Sequence, residues 1–155
     1  MTCVKIILIG LVIIGVAFSL WQALNADYYK TNLFARQARA FLEGRADIGQ
    51  HGLDVSFYRG KYYVCFPPFP ACLLLLPVAV FGVAGSNEVL ISILCSLLNI
   101  FLLRAIFRRL RIDPETIPWL LAAFFLGTAY WLSVCRSYGV WYFAHVVSVT
   151  CILTA

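Results

Sequence analysis

The stretch from Asn25 to Phe66 reads NADYYKTNLFARQARAFLEGRADIGQHGLDVSFYRGKYYVCF, and it is the one long polar interval in a chain of 155 residues that is otherwise mostly apolar. Four of the seven acidic residues, Asp27, Glu43, Asp47 and Asp54, lie within it. The apolar runs around it are assigned by asking which side of a membrane it occupies. A membrane is the first expectation from the totals: 63% of the residues are hydrophobic, 12% are charged and the mean hydropathy is +0.89, whereas soluble domains carry about a quarter charged residues. The net charge of +5 does not point to nucleic acid. The basic residues divide between this interval and a short cluster, Arg104, Arg108, Arg109 and Arg111, with no basic stripe along a polar face. The lipid bilayer is the expected partner, and nucleic acid is not.

Inside the interval, TNLFARQARAFLEG repeats apolar residues at Leu33, Phe34, Ala38, Phe41 and Leu42, with Arg36, Arg39 and Glu43 on the other side. That spacing predicts an amphipathic helix lying along the membrane surface, with Arg39 and Glu43 paired four apart and Gly44 as its stop. Further on, VSFY and KYYV flank Arg59-Gly60, so two short strands rich in aromatic and β-branched residues are expected to form a hairpin.

Working outward, residues 4–24 form an apolar run of about the length a helix needs to cross hydrocarbon, with Lys5 before it and Trp21 near its end. The run is read as an uncleaved anchor with a cytoplasmic start. A cleavable signal peptide is the competing reading. After the polar interval, FPPFPACLLLLPVAVFGVAG is broken by Pro67, Pro68, Pro70 and Pro77, and either spans or re-enters. Charge favours re-entry: if this run crosses, the next helix (88–107) would deliver the arginine cluster to the outer face, against the positive-inside tendency. Residues 25–86 are then an outer loop, 108–115 a cytoplasmic loop and 116–134 another spanning helix. Trp119 marks its inner interface and Trp131 its outer one. Residues 135–155 return to the outside and begin a further apolar run, which is expected to continue in missing carboxyl-terminal helices or to depend on a partner chain. The fold class is therefore an all-α integral membrane protein, a multi-helix transmembrane bundle with an extracytoplasmic first loop containing surface-lying helices.

On this topology Asp27, the surface helix, the hairpin and the segment CRSYGVWYFAH share one aqueous face. One acid, several aromatics and several cations then suit an anionic, lipid-linked substrate. Asp27 is the candidate general base or cation-orienting group, because it stands where an apolar run gives out. Arg136 and Lys61 are candidates for stabilising a departing phosphate, Tyr63 and Trp141 for stacking on sugar, and His145 is an ionisable residue inside an apolar segment. Each has a structural reading as well: Asp27 as a cap or a partner of Lys30, Arg136 as an interfacial anchor, the aromatics as a membrane belt. Six cysteines show no CxxC and no spacing that pairs them with histidine as metal ligands; Cys65 and Cys72 are the two that can meet outside the membrane.

The Asp27-Tyr28-Tyr29 start, ARQARAFLEGRADI, the YRGKYYVCFPPFPACLLLLP run and YGVWYFAHV together resemble the amino-terminal third or so of a GT-C glycosyltransferase, the group that includes protein O-mannosyltransferases and lipid A aminoarabinose transferases. The resemblance implies transfer of a sugar from a polyprenyl-phosphate donor, with inversion, on the extracytoplasmic face of a cell membrane of the bacterial inner-membrane type. It also implies that an aspartate of the first outer loop is catalytic and that the Pro-rich run belongs to surface-lying helices. Two departures bear on cofactors. Several members carry an acidic pair in the first loop, whereas Asp27 is followed by Tyr28, and the segment from Cys135 to His145 holds no acid. No cofactor and no metal site is therefore expected. The alternative, of a different class, is a small non-catalytic multi-pass membrane protein or subunit assembling with partner helices. A transporter fragment is weaker, since the spanning runs hold few midplane charges.

Overall fold

The computed structural model describes residues 2–25 and 32–155. Helix accounts for most of it, in eight segments. The first, α1 (Thr2–Asn25), is 24 residues long and covers the run expected over 4–24. Asp27, Tyr28, Tyr29 and Lys30 lie outside the described residues.

Beyond them the polar interval folds into a compact layer. Helix α2 (Leu33–Leu42) buries Leu33, Phe34, Ala35, Gln37, Ala38 and Ala40. Its end follows from Gly44, which adopts the left-handed conformation at φ 70° that a side chain resists. That turn lets Gly44 N–H donate to Phe41 O at 3.0 Å and Arg45 N–H donate to Ala40 O at 2.8 Å, the paired closing bonds of a Schellman motif. Strands β1 (Val55–Tyr58) and β2 (Lys61–Val64) then pair antiparallel, with Val55 opposite Val64 and Tyr58 opposite Lys61. Arg59 and Gly60 join them at φ 49° and 77°, two positive values in succession, as a type I′ turn requires.

The Pro-rich run becomes two short helices, α3 (Phe69–Leu73) and α4 (Leu75–Gly85), and Gly82 at φ 71° interrupts the second. At 5 and 11 residues, each falls well short of the roughly twenty that a crossing needs. Helices α2, α3 and α4 close over the start of the last helix, α8 (Val140–Thr154), in one core of Phe34, Ala38, Ala71, Leu74, Val78, Val140, Phe143 and Val147. The rings of Phe34 and Phe143 meet edge-on at 5.7 Å. The apolar face of α2, expected to rest on lipid, is thus buried in protein. The partner surface comes from distant segments that local periodicity does not see.

Helix α5 (Glu88–Arg109) has 22 residues and is, among the described residues, the one helix long and apolar enough to cross a membrane. Shorter apolar helices run over Ile9–Gln22, Leu75–Gly85, Ile117–Gly127 and Val140–Thr154. The spanning helix expected over 116–134 is instead two pieces, α6 (Ile117–Gly127) and α7 (Tyr130–Cys135). They part at Thr128, which is extended (φ −116°, ψ 174°). Its hydroxyl donates back to Phe124 O at 2.6 Å and accepts from Tyr130 N–H at 3.1 Å, so one side chain ends the first piece and caps the second.

Hydroxyls join the long elements. The buried side of α5 carries Ser92, Ser96 and Asn99. Asn99 Nδ2 donates to Tyr130 OH at 2.7 Å, and Ser92 Oγ donates to Ser137 Oγ at 2.7 Å. Ser96 uses its proton on Ser92 O at 2.8 Å, so Tyr130 OH donates to Ser96 Oγ across 3.1 Å. On α1, Gly15 lies against Trp131, whose Nε1 is 3.4 Å from where a Cβ would stand, and Ser19 Oγ meets Cys135 Sγ at 2.9 Å. Trp131 therefore packs against α1. Rising residue numbers match along α1 and α7, which run parallel. They fall against each other along α5 and α7, which run antiparallel. The start of α5 consequently lies at the end of the molecule that carries α2 and the hairpin, and Arg104, Arg108, Arg109 and Arg111 lie exposed at the other end.

Candidate functional site

Helical spacing sets Arg36 and Arg39 on one side of α2, and the turn at Gly44 swings Arg45 back beneath them. The following loop is held to the hairpin by Ile48 N–H donating to Tyr62 O at 2.9 Å. Together these segments border an open cavity of about 250 Å³ lined by Arg36, Arg39, Arg45, Ile48, Gln50 and Val83. Arg36 Nη1 donates to Gln50 Oε1 at 2.9 Å. Arg39 Nε reaches Glu43 Oε1 at 2.7 Å, and Arg45 Nη2 takes the other oxygen of the same carboxylate. Arg45 Nη1 also donates to Asp47, whose second oxygen lies 3.5 Å from Lys61 Nζ. Four cations thus stand beside two carboxylates, and the positive surplus suits an anion. The guanidiniums of Arg45 and then Arg39 hold the Glu43 carboxyl below the usual carboxylate range, and Glu43 in turn raises Arg45.

A second polar site lies where α2 meets α5. Glu88, the first residue of α5, is 1% exposed, and neither carboxylate oxygen has a hydrogen-bond partner among the described residues. The Ala35 N–H, in the open first turn of α2, is directed toward it. Beside it Asn32 Nδ2 donates to Val83 O at 2.9 Å and Ser86 O at 3.2 Å, fastening the start of α2 to the end of α4. Val83 also lines the arginine cavity, so the two sites adjoin.

Of the residues picked from sequence, Asp27 lies outside the described residues. Trp141 is brought to the polar layer, its ring 4.8 Å from Phe66. Lys61 sits at the hairpin turn on Asp47, and Tyr63 faces Ser56 across the strands. Arg136 Nη1 donates to Tyr138 OH at 2.9 Å, and His145 is exposed one turn beyond Trp141. None of the five lines the arginine cavity. Sequence reading took Arg36 and Arg39 as the solvent side of a surface helix. The signal that would have found the cavity is their spacing combined with Gly44, which predicts a chain reversal carrying Arg45 under them. Nothing local marked Glu88 as buried.

Cys65 and Cys72 do not pair: Cys65 Sγ lies 3.1 Å from Ser56 Oγ, and Cys72 Sγ donates to Pro68 O. Among the described residues no group of three or more His, Cys, Asp or Glu side chains is placed to hold a metal ion. A larger groove of about 500 Å³ runs between α1 and α6, lined by Ile9, Val12, Ile13, Pro118, Trp119 and their neighbours. No protein-family model matches the chain, and neither the curated proteins nor the solved structures contain a match to it.

Proposed function

We propose that the chain is the amino-terminal part of a multi-pass, GT-C-like membrane glycosyltransferase that takes a sugar from a polyprenyl-phosphate donor on the extracytoplasmic face of the cell membrane. The observation that carries this reading is the packing of the first polar interval on the carboxyl-terminal segment, through Phe34 on Phe143 and Phe66 on Trp141. One end of α5 then bears an arginine-lined cavity, and the other bears Arg104, Arg108, Arg109 and Arg111, the residues that the positive-inside tendency keeps in the cytoplasm. In this reading α1, α5, the α6–α7 pair and α8 enter the bilayer. Arg36, Arg39 and Arg45 hold the donor phosphate by charge-assisted hydrogen bonds as negative charge develops on it. Asp27 accepts the proton of the attacking hydroxyl, and Trp141 and Tyr63 line the approach of the sugar.

The test is transfer of labelled sugar from a polyprenyl-phosphate donor by membranes carrying the protein. Asp27→Asn is expected to lower turnover by about 100-fold or more at an unchanged amount of folded protein. Turnover that survives the substitution removes Asp27 from the mechanism.

A second reading, a non-catalytic subunit assembling with partner helices, is favoured by a different observation. The outer face of α5 leaves Leu94, Leu97 and Phe101 at least half exposed, and the groove between α1 and α6 is apolar and wide enough for side chains of another helix.

A further inference from the structure

The Glu43 carboxylate bridges two of the arginines that line the cavity, Arg39 and Arg45, in the way an anionic ligand would. Each of its oxygens takes one guanidinium, Oε1 from Arg39 and Oε2 from Arg45. Those two arginines come from separate pieces of chain, one from the last turn of α2 and one from beyond the Gly44 turn. A phosphoryl group, whether in a monoester or a diester, offers the same pair of adjacent charged oxygens. Glu43 is the C-cap residue of α2, so its backbone is fixed by the Schellman turn while its side chain projects from the surface. Both ion pairs it makes are solvent-accessible, and exposed pairs of this kind exchange readily for a stronger acceptor.

We propose that Glu43 is an internal stand-in for the ligand's phosphoryl group, holding Arg39 and Arg45 at the ligand spacing when the cavity is free and swinging out when a phosphoryl group binds. This rests on the reading of the cavity as an anion site. It adds that the site competes with its own side chain, and that the competing residue sets the affinity threshold. The ligand chemistry is a phosphoryl group carrying at least two free oxygens, whether on a lipid headgroup or in solution. Asp47 provides the comparison, because it touches Arg45 and Lys61 but not Arg39. Neutralising it alters the net charge as much as neutralising Glu43 does, without removing the negative charge from between Arg39 and Arg45.

The experiment uses the full chain in detergent for inorganic pyrophosphate binding, and in nanodiscs of phosphatidylcholine with or without phosphatidic acid for the lipid source. Glu43→Gln is expected to tighten binding about 3- to 10-fold, with Asp47→Asn giving a distinctly smaller change. Tightening toward pyrophosphate alone assigns a soluble ligand, and tightening toward phosphatidic acid alone assigns a lipid headgroup. Equal or weaker binding by Glu43→Gln, or an equal gain from Asp47→Asn, overturns the stand-in role while leaving the anion site in being. If neither the unaltered chain nor Glu43→Gln binds either probe, the anion site itself fails, and the stand-in role with it.

Discussion

Glu88 is a carboxyl enclosed by protein with neither oxygen bonded to a described residue, set between the first turns of two helices. Helix starts favour negative charge, yet an ionised carboxylate held away from water without a partner is costly, and the dipoles of two helix ends offset only part of that cost. The uncharged carboxamide has nearly the same shape. Glu88→Gln is therefore expected to leave the thermal stability of the detergent-solubilised protein unchanged or to raise it. Glu88→Ala, which opens a void against α2, is expected to lower stability by about 1–3 kcal/mol. A loss from Glu88→Gln as large as that from Glu88→Ala would mean that the charged group makes an interaction the amide cannot replace. The arginine cavity presents the opposite case, since its charges are exposed and paired, and their value lies in being exchangeable.

Among the elements, α1 shows how a helix can be fixed with little area. It meets α7 through Gly15 on Trp131 and Ser19 on Cys135, two small residues four apart that admit a close approach in the way membrane helices pack. Gly15→Leu is expected to push α1 off α7 and to lower the thermal stability of the solubilised protein by about 1–3 kcal/mol. Gly10→Leu, where nothing lies within 4 Å of the new Cβ, serves as the neutral comparison. Equal effects would mean that the contact at Trp131 is incidental. Elements of this chain were legible in the sequence where their chemistry is local. Arg59-Gly60 demands a two-residue turn, Gly44 ends α2, and Arg39 reaches Glu43 four residues on. They were not legible where a distant segment decides. Thr128 looks like one more residue of an apolar helix until its hydroxyl is seen bonding in both directions, and α2 carries the pattern of a lipid-facing helix although α3, α4 and α8 cover it. The same limit hid the site, because Arg36, Arg39 and Arg45 converge only after the chain reverses, and Glu88 is buried by a helix from the far side of the hairpin.

For the whole molecule the polarity of α5 decides everything, since its 22 residues, about 33 Å of helix, separate the Glu88 end from the Arg109 end. The polar layer of α2 and the hairpin lies with Glu88, and Leu110 is 65% exposed at the other end among the arginines. If the arginine end is cytoplasmic, a membrane-impermeant maleimide applied to intact cells should modify Cys65, which is exposed beside the hairpin, and should not modify an introduced Leu110→Cys. Disrupting the cells should make Leu110→Cys reactive as well. Cys135 offers an internal check on the fold rather than on the orientation. It is buried against Ser19, so it should label only after denaturation. Mass spectrometry of the modified peptides reads all three positions in one experiment. Labelling of Leu110→Cys but not Cys65 in intact cells would turn the molecule over, put the arginine cavity in the cytoplasm, and remove the extracytoplasmic donor from consideration.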